Sequence, residues 1–248
     1  MGPGYINEVI FDRSRSCDAY LYHLPVIRYL SERSLVLDSA VTILVGENGT
    51  GKSTLLEGIA VAYGFNPEGG TRNFNFTTKA SHSNLHRHLT LAKTAYAKDG
   101  FFLRAESLYN LATNIDEMDA EPSLGQPIRN SYGGVSLHEQ SHGESFLSTV
   151  QNRFGGNGLY LLDEPEAALS PMKLLTLIVE IDRLVKRNSQ FIIATHSPML
   201  MAFPNADVLE LSKNGIRRVD YRETEHFRTM KQFLDCPERM LHYLLENP

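Results

Sequence analysis

Residues Gly46 to Ser53 follow the pattern G-x-x-x-x-G-K-[ST], which is typical of a loop that binds nucleotide phosphates. Its glycines allow the backbone to wrap closely, so that successive N–H groups and the start of the next helix face phosphate oxygens. In such a loop Lys52 reaches the β- and γ-phosphates, and the Ser53 hydroxyl is a ligand of Mg²⁺. We therefore expect ATP and Mg²⁺ to bind here, and the residues predicted to contact ATP are Gly46, Glu47, Asn48, Gly49, Thr50, Gly51, Lys52, Ser53 and Thr54.

A pair of acids, Asp163 and Glu164, follows the apolar run from Leu159 to Leu162. Such a run predicts a buried strand, and open α/β sheets bind their ligands at the carboxyl ends of strands. We expect Asp163 to hold Mg²⁺, directly or through water. Glu164 would take a proton from the attacking water, a contribution of about 10²- to 10⁴-fold in rate. The alternative is two solvated acids at a strand end, which the phosphate loop upstream disfavours.

A histidine, His196, follows the next apolar run, from Gln190 to Ala194. An imidazole at that point could hydrogen-bond the γ-phosphate and so sense whether it is present. The alternative is a histidine bonded to a backbone carbonyl at a strand end. Together with Lys52 and Glu164, His196 completes the predicted catalytic set.

A second pattern, H-E-x-x-H, runs from His138 to His142. On one helix it would bring both imidazoles to one face as zinc ligands, with Glu139 as the general base of a metallopeptidase. Flanking glycines argue against a continuous helix, and no third ligand follows by motif. A zinc metallopeptidase is therefore the less favoured alternative, and its residues would be His138, Glu139, Gln140, Ser141 and His142.

The elements that must position these residues alternate between strands and helices. Apolar runs predict strands at 41–45, 101–105, 159–162, 190–194, 208–211 and 216–221, and helical spacing predicts helices at 52–63, 174–185 and 226–245. This alternation predicts an α/β fold with a mainly parallel sheet.

The middle of the chain has a different composition. Its ends are rich in Gly, Asn, Thr, Ser and Pro, and the stretches 85–98 and 107–112 have helical character. We therefore predict a single domain over 1–248. Within it, 1–65 and 146–248 form an α/β nucleotide-binding core, and about 66–145 form a small, partly helical inserted subdomain.

The phosphate loop, the acidic pair and the strand-end histidine, in this order, resemble the ABC-type ATPase domain of the P-loop NTPases. That family has a signature loop of L-S-G-G-Q type shortly before the acidic strand. Ser141 and Gly143 match its serine and second glycine, whereas His142 and Glu144 depart from it. The resemblance implies a homodimer that sandwiches two ATP molecules. In that dimer the signature loop and a helix at 145–153 would face the γ-phosphate of the opposite subunit. It also implies an interface loop formed by Ala168, Leu169 and Ser170.

Within the family, the chain is similar to compact stand-alone bacterial AAA/ABC-family ATPases on the RecF-like and SMC-like DNA-repair side. Glu47-Asn48-Gly49 and Asp163-Glu164-Pro165-Glu166 carry this similarity. The glutamine of the family's Q-loop has no counterpart between the phosphate loop and Gln126, and the candidate substitutes are His82, His86 and His88. The candidates for stacking on adenine are Tyr20 and Tyr22, for which plain packing is the alternative.

Composition and charge indicate whether the chain could also bind nucleic acid, form disulfides or enter a membrane. A formal charge of -5 does not indicate the strongly basic domain typical of nucleic-acid binding. The candidates for a local basic patch that could contact nucleic acid are Arg13, Arg15, Arg87, Arg217 and Arg218. The two cysteines, Cys17 and Cys236, match no ligand spacing and predict reduced thiols of a cytoplasmic protein. No run approaches the ~18 to 20 apolar residues of a membrane span, so we expect no direct membrane insertion.

The sequence leaves open which process uses the ATP. The resemblance implies hydrolysis of ATP to ADP and phosphate, coupled to a nucleic-acid-associated or defence process. Nucleic acid or a partner protein would then bind the dimer. The alternatives are the motor subunit of an ABC transporter and an ATP-dependent switch that times a partner interaction.

Overall fold

The computed structural model describes residues 4–14, 20–72, 83–120 and 125–246. The strands are β1 (Glu8–Phe11), β2 (Leu35–Val36), β3 (Val41–Gly46), β4 (Leu89–Ala92), β5 (Asp99–Arg104), β6 (Gly158–Asp163), β7 (Gln190–Ala194), β8 (Asp207–Ser212) and β9 (Gly215–Val219). The α-helices are α1 (Pro25–Glu32), α2 (Lys52–Tyr63), α3 (Leu108–Ala120), α4 (His142–Ser148), α5 (Pro171–Val185), α6 (Pro198–Met201), α7 (Glu225–Asp235) and α8 (Pro237–Glu246).

A six-stranded sheet forms the centre, in the order β5-β6-β7-β3-β8-β9. Its strands are parallel from β5 to β8, and β9 is antiparallel at one edge. The strands β3, β6 and β7 are buried along their whole length. Such burial is expected of parallel strands that are covered on both faces. The predicted α/β fold with a mainly parallel sheet is therefore confirmed.

Helices cover both faces of this sheet with apolar side chains. On one face, α2 buries Leu55 and Ile59, and on the other, α5 buries Leu177 and Ile181. Each pair is spaced four residues apart, which places both side chains on one side of the helix. The two helices thus fix the carboxyl edge of the sheet, where β3, β6 and β7 end.

A smaller antiparallel sheet, in the order β2-β1-β4, packs against α2. Both β4 and β5 come from the segment 66–145, which composition predicts to be a separate subdomain. They pair with β1 and β6, strands of the predicted core. Strand pairing therefore joins β4 and β5 to the predicted core. The division of the chain into a core and an inserted subdomain stays a proposal.

Three predicted helices differ from the observed elements. The stretch 85–98 is a 3₁₀ turn, Asn84–His88, followed by β4, because pairing with β1 overrides its helical spacing. The helix predicted at 145–153 begins earlier, as α4, and continues as a π-helical turn, Thr149–Arg153. The terminal helix is divided into α7 and α8 at Pro237, which has no N–H to continue the first helix and instead begins the second.

Candidate active site

The phosphate-loop motif joins the end of β3 to the start of α2. Gly46, Gly49 and Gly51 have φ angles of 142°, 81° and 96°, which residues with side chains rarely adopt. Space also requires glycine at position 46, because a Cβ there would lie 2.2 Å from the carbonyl oxygen of Leu211 on β8. The backbone therefore follows the path over the N-terminus of α2 that a phosphate-binding loop needs.

Lys52 is the first residue of α2 and is 5% exposed. Its Nζ donates to the carbonyl oxygens of Gly46 at 2.7 Å and Glu47 at 3.0 Å, so the side chain folds back across the loop. Burial lowers the pKa of Lys52, and nearby carboxylates, first that of Glu164, oppose this shift. The ammonium group therefore lies inside the loop, close to the acids that follow β6.

Ser53 and Asp163 bring two oxygen atoms together at the sheet edge. The Ser53 hydroxyl donates to Oδ1 of Asp163 at 3.0 Å. Burial raises the pKa of Asp163 to about 6, although the guanidinium of Arg104 and the Ser53 hydrogen bond favour its carboxylate. Hard oxygen donors next to a phosphate loop are the ligands that Mg²⁺ prefers. The two residues predicted to hold the metal are thus adjacent, and their chemistry fits it.

Glu164 adopts a left-handed backbone conformation, with φ 47° and ψ 54°, which is uncommon for a residue with a side chain. Its N–H donates to the carbonyl oxygen of Ala194 on β7 at 2.9 Å, which fixes this turn to the neighbouring strand. The side chain is 45% exposed, and its Oε1 lies 3.7 Å from Nε2 of His196. A carboxylate in this position is open to water and can act as a base.

His196 is held after β7 by a hydrogen-bonded turn. Glu166 accepts from the Thr195 hydroxyl at 2.7 Å and from the backbone N–H of His196. On the side chain, Nδ1 of His196 lies 2.8 Å from Nε2 of His226 on α7. Burial lowers the pKa of His196, and the neighbouring charge of Lys52 adds to this. The neutral imidazole is therefore favoured.

Reasoning from sequence assigned no role at this site to three of its residues: Arg104, Glu166 and His226. Arg104 ends β5 opposite Asp163, with Nε 3.5 Å from Asp163 Oδ2 and a terminal nitrogen 3.0 Å from Glu57 Oε2. An arginine near the end of the apolar strand predicted at 101–105 was a signal that could have revealed it. Glu166 follows Glu164 by two positions and was considered only as part of the motif that carries the family resemblance. His226 had no local signal, because its partner is 30 residues away.

The predicted signature residues surround the start of α4. Ser141 is the N-cap of α4. The Glu144 carboxylate accepts from the Ser141 backbone N–H at 2.9 Å, as in a capping box, and also from the Ser141 hydroxyl. Nε2 of His142 lies 3.1 Å from the carbonyl oxygen of Ala105. Ser141, His142 and Glu144 are exposed, so their side chains are accessible to another molecule. Their contact with a partner's nucleotide stays a prediction.

The predicted interface loop contacts this segment within the same chain. Leu169 is buried and Ser170 is the N-cap of α5. A Cβ on Gly143 would lie 2.8 Å from the carbonyl oxygen of Ala168 and 3.1 Å from Cδ of Lys173. Packing within the chain is therefore enough to require glycine at position 143. A role of Ala168, Leu169 and Ser170 in a dimer interface stays a proposal.

The H-E-x-x-H segment does not form one helix. His138 lies in the 3₁₀ turn Leu137–Glu139, Gln140 is extended, and His142 begins α4. Nε2 of His138 lies 3.0 Å from the hydroxyl of Thr113. Among the described residues no group of three or more metal-binding side chains occurs. The two imidazoles do not share a helix face, so the geometric basis of the zinc metallopeptidase alternative is wrong.

The candidates for the Q-loop and for adenine stacking stay predictions. His82 lies outside the described residues. His86 contacts a neighbouring backbone carbonyl, and the buried His88 stacks on an aromatic ring of β1. Tyr20 and Tyr22 are 52% and 42% exposed, which is compatible with stacking on a base.

Two family models match the chain, each over less than half of its length. The model described as "AAA domain, putative AbiEii toxin, Type IV TA system" matches residues 104–202. The model described as "AAA domain" matches residues 24–102. The second of these ranges contains the phosphate loop, and the first contains the acidic pair and His196.

Curated relatives share about a quarter of the aligned residues. The ribose import ATP-binding protein RbsA of Bacillus cereus is 25% identical over 206 residues, which are 77% of this chain and 40% of that protein. The Retron Vc95 probable ATPase of Vibrio cholerae is 24% identical over 134 residues, 47% of this chain and 25% of that protein. The chain thus spans two fifths or less of the length of these relatives.

A solved structure supports the fold. The one described as "An inward-facing conformation of a putative metal-chelate type ABC transporter" matches with a TM-score of 0.50 and 15% identity, over 91% of this chain and 88% of that chain. At that identity the likeness shows the ABC ATPase fold alone. Taken with the family models and the curated relatives, it supports a compact, ATP-binding P-loop ATPase of the AAA/ABC type.

Proposed function

We propose that this compact AAA/ABC-type ATPase binds ATP with Mg²⁺ and hydrolyses it to ADP and phosphate at the carboxyl edge of its central sheet. One observation carries this proposal: the predicted functional side chains converge where β3, β6 and β7 end. These side chains are Lys52, the Ser53–Asp163 pair and the Glu164–His196 pair. Open α/β sheets bind ligands at this edge.

The loop residues would bind and orient the phosphates. Backbone N–H groups between Gly46 and Ser53 face the β-phosphate, and the Lys52 ammonium neutralises charge on the β- and γ-phosphates. Ser53 and Asp163 would hold Mg²⁺, which when bound draws charge from the phosphate oxygens. These residues fix the γ-phosphate in line with an attacking water, which is the main requirement of phosphoryl transfer.

Glu164 and His196 would act directly on the reacting water and the γ-phosphate. As the water oxygen bonds to the γ-phosphorus and the bond to the ADP oxygen breaks, Glu164 takes the proton that the water loses. His196 donates a hydrogen bond from Nε2 to a γ-phosphate oxygen, where negative charge is concentrated. Both groups lie on the strand ends next to the phosphate loop, and their 3.7 Å separation lets them act on one phosphate.

The ATP sandwich of two chains is part of this proposal. Glu164 is 45% exposed, and an open site of this kind needs a cover that excludes bulk water during hydrolysis. Three signature residues, Ser141, His142 and Glu144, are exposed at the start of α4, where they are available to a second copy. In a head-to-tail dimer each would lie over the phosphates of the other chain.

A charge placed on the signature loop tests the sandwich. Ser141→Asp keeps a residue type that caps helices well, although its carboxylate cannot donate to Glu144 as the Ser141 hydroxyl does, and it brings a negative charge to the γ-phosphate of the partner. We expect phosphate release to fall by about tenfold or more, because the new carboxylate would repel the negative charge of the γ-phosphate. A tenfold fall corresponds to about 1.4 kcal/mol of lost transition-state stabilisation. Ser141→Asn, of nearly the same size and also a good cap, is the matched control and should stay active. Ser141 is preferred to Gly143 for this test, because any Cβ at Gly143 meets the Ala168 backbone.

Mixing two impaired variants then shows whether the site is shared between chains. Heterodimers of Lys52→Ala with Ser141→Asp have one site with both changes and one with neither. We expect the intact site to restore part of the activity. No restoration at any mixing ratio, together with no ATP-dependent dimer of Glu164→Gln by size-exclusion chromatography, would refute the sandwich.

We further propose that hydrolysis drives a nucleic-acid-associated or defence process. One family model names a toxin of a Type IV TA system and one curated relative is described as a retron ATPase. The alternative, a transporter motor, draws on the relative described as a ribose import ATP-binding protein. In the described part of the chain no helix is long and apolar enough to cross a membrane. Two of the basic residues that are candidates for a nucleic-acid-binding patch form ion pairs within the chain: Arg217 pairs with Glu210, and Arg218 pairs with Asp207.

The ATPase rate with added ligands separates these processes. We expect DNA or RNA to stimulate phosphate release, with a stimulation that falls as salt rises, because phosphate contacts release counterions. Heparin at equal charge density is the control for nonspecific polyanion binding. Copurification with a membrane protein and no response to either nucleic acid would favour the transporter motor and contradict this part of the proposal.

A further inference from the structure

We infer that His226, on the first turn of α7, is a positioning residue that fixes which nitrogen of His196 carries the proton, and so couples the C-terminal helices α7 and α8 to ATP hydrolysis. The inference rests on the proposed role of His196. The inference adds to the proposed active site a residue, His226, that lies neither at a strand end nor in a segment covered by a sequence motif.

The contact between the two imidazoles requires one donor and one acceptor. Nδ1 of His196 lies 2.8 Å from Nε2 of His226, and the ring planes are tilted by 54°. A neutral imidazole has one N–H and one bare nitrogen, so two neutral rings can make this bond in two ways. If His226 donates, His196 accepts at Nδ1 and carries its proton on Nε2.

The other nitrogen of His196 faces the catalytic acid. Nε2 is buried and makes no hydrogen bond to the described residues, and Oε1 of Glu164 lies 3.7 Å away, beyond hydrogen-bond distance. A donor N–H at Nε2 is what a γ-phosphate oxygen needs. The opposite tautomer would present a lone pair to the phosphate and repel it. When His226 is the donor, its bond therefore selects the productive form of His196.

The surrounding charges favour the neutral ring that this selection requires. Burial lowers the pKa of His196, the proximity of Lys52 and His226 lowers it further, and the carboxylate of Glu164 opposes this shift. With a single proton on the ring, its location becomes decisive. A doubly protonated ring would make the choice of tautomer irrelevant.

The element that carries His226 is attached to the site at its first turn. Buried Thr224 caps α7 and accepts from the N–H of Phe227. Glu225 and His226 line a cavity of about 510 Å³ whose lining also includes Glu47 of the phosphate loop. Further along, α7 and α8 have exposed apolar side chains, for example Leu234 at 68%. Displacing this helix pair would break the His196–His226 bond while leaving the strand ends intact.

A pair of substitutions of similar size separates donation from packing. His226→Gln places an amide N–H close to the position of Nε2, whereas His226→Met fills similar space without a donor. We expect His226→Met to lower kcat by on the order of tenfold to a hundredfold, by analogy with metal-ligating histidines that lose their outer hydrogen-bond partner. His226→Gln should retain most of kcat. KM for ATP and the melting temperature should change little in both. Equal kcat in the two variants would overturn the inference.

Two further measurements show which proposal fails. His196→Ala should be slow, and adding His226→Met to it should cause no further loss, because both act through one ring. If His196→Ala hydrolyses ATP at the wild-type rate, the proposed role of His196 is wrong. If it is slow but His226→Met is fully active, His226 alone is misassigned. Nitrogen-15 NMR of His196 should show the Nε2–H form in wild type and His226→Gln, and a mixture in His226→Met. An unchanged tautomer in His226→Met would also refute the coupling.

Discussion

Lys52→Ala should lose measurable ATP binding, with affinity reduced by at least about a hundredfold. The ammonium makes charge-assisted hydrogen bonds, worth about 1.5 to 3 kcal/mol each, and those to the β- and γ-phosphates would be lost together. In the free protein the same group donates to the carbonyl oxygens of Gly46 and Glu47. The substitution therefore removes phosphate charge pairing and part of the loop's internal support. Titration with a fluorescent ATP analogue in the presence of Mg²⁺ measures the affinity.

A control is needed to separate these two losses. Thr50→Val removes another hydrogen bond to the Glu47 carbonyl, at 2.9 Å, but leaves the ammonium in place. We expect it to weaken ATP binding by less than about tenfold, since one neutral hydrogen bond contributes roughly 0.5 to 1.5 kcal/mol. Unchanged affinity in Lys52→Ala would mean that nucleotide binds elsewhere or not at all, and the phosphate-loop assignment would have to be abandoned.

Glu164→Gln should keep ATP binding and slow hydrolysis by about a hundredfold or more, because an amide cannot take the proton of the attacking water. Single-turnover phosphate release measures the chemical step. The variant should also accumulate as a dimer when ATP and Mg²⁺ are present, since the nucleotides that join the two chains are not consumed. Elution volume with and without ATP reports the dimer.

The matched control for this variant lies in the H-E-x-x-H segment. Glu139→Gln makes the same chemical change at the residue that a zinc peptidase would use as its base. Glu139 is exposed in a 3₁₀ turn, so we expect ATPase activity and stability close to those of wild type. Full turnover in Glu164→Gln would move the base to another group, and loss of ATPase activity in Glu139→Gln would reopen the role of that segment.

Local patterns predicted the parts of the site that are local in sequence. The loop from Gly46 to Ser53 follows one strand and precedes one helix, so its chemistry is readable from a single segment. Arg104 and Asp163 lie 59 positions apart, and they meet through the parallel pairing of β5 with β6. His226 reaches His196 because the chain returns after β9. Contacts of this kind depend on tertiary packing, which local composition does not encode.

The difference between local patterns and tertiary contacts also explains the helices that were predicted incorrectly. The stretch 85–98 has helical spacing, but its hydrogen-bonding partner β1 comes from the start of the chain, and pairing determined its conformation. Pro237 is visible in the sequence, and its restriction on the preceding residue is a local rule. The division of the terminal helix was therefore predictable, and the apolar spacing on both sides of the proline obscured it.

The central position of β3 affects how the protein is made. The strand lies between β7 and β8, and the turn at Gly46 fits against Leu211, which the ribosome adds roughly 165 residues later. At about 5 to 20 residues per second, the phosphate loop waits roughly 10 to 30 s for its neighbours. During that interval the nascent chain has its lysine and glycines but not the strands that hold them in place. Nucleotide bound at this loop would therefore stabilise the chain only after β8 has been made, and a translational pause before β8 would prolong the exposure of apolar β3 to chaperones and to aggregation.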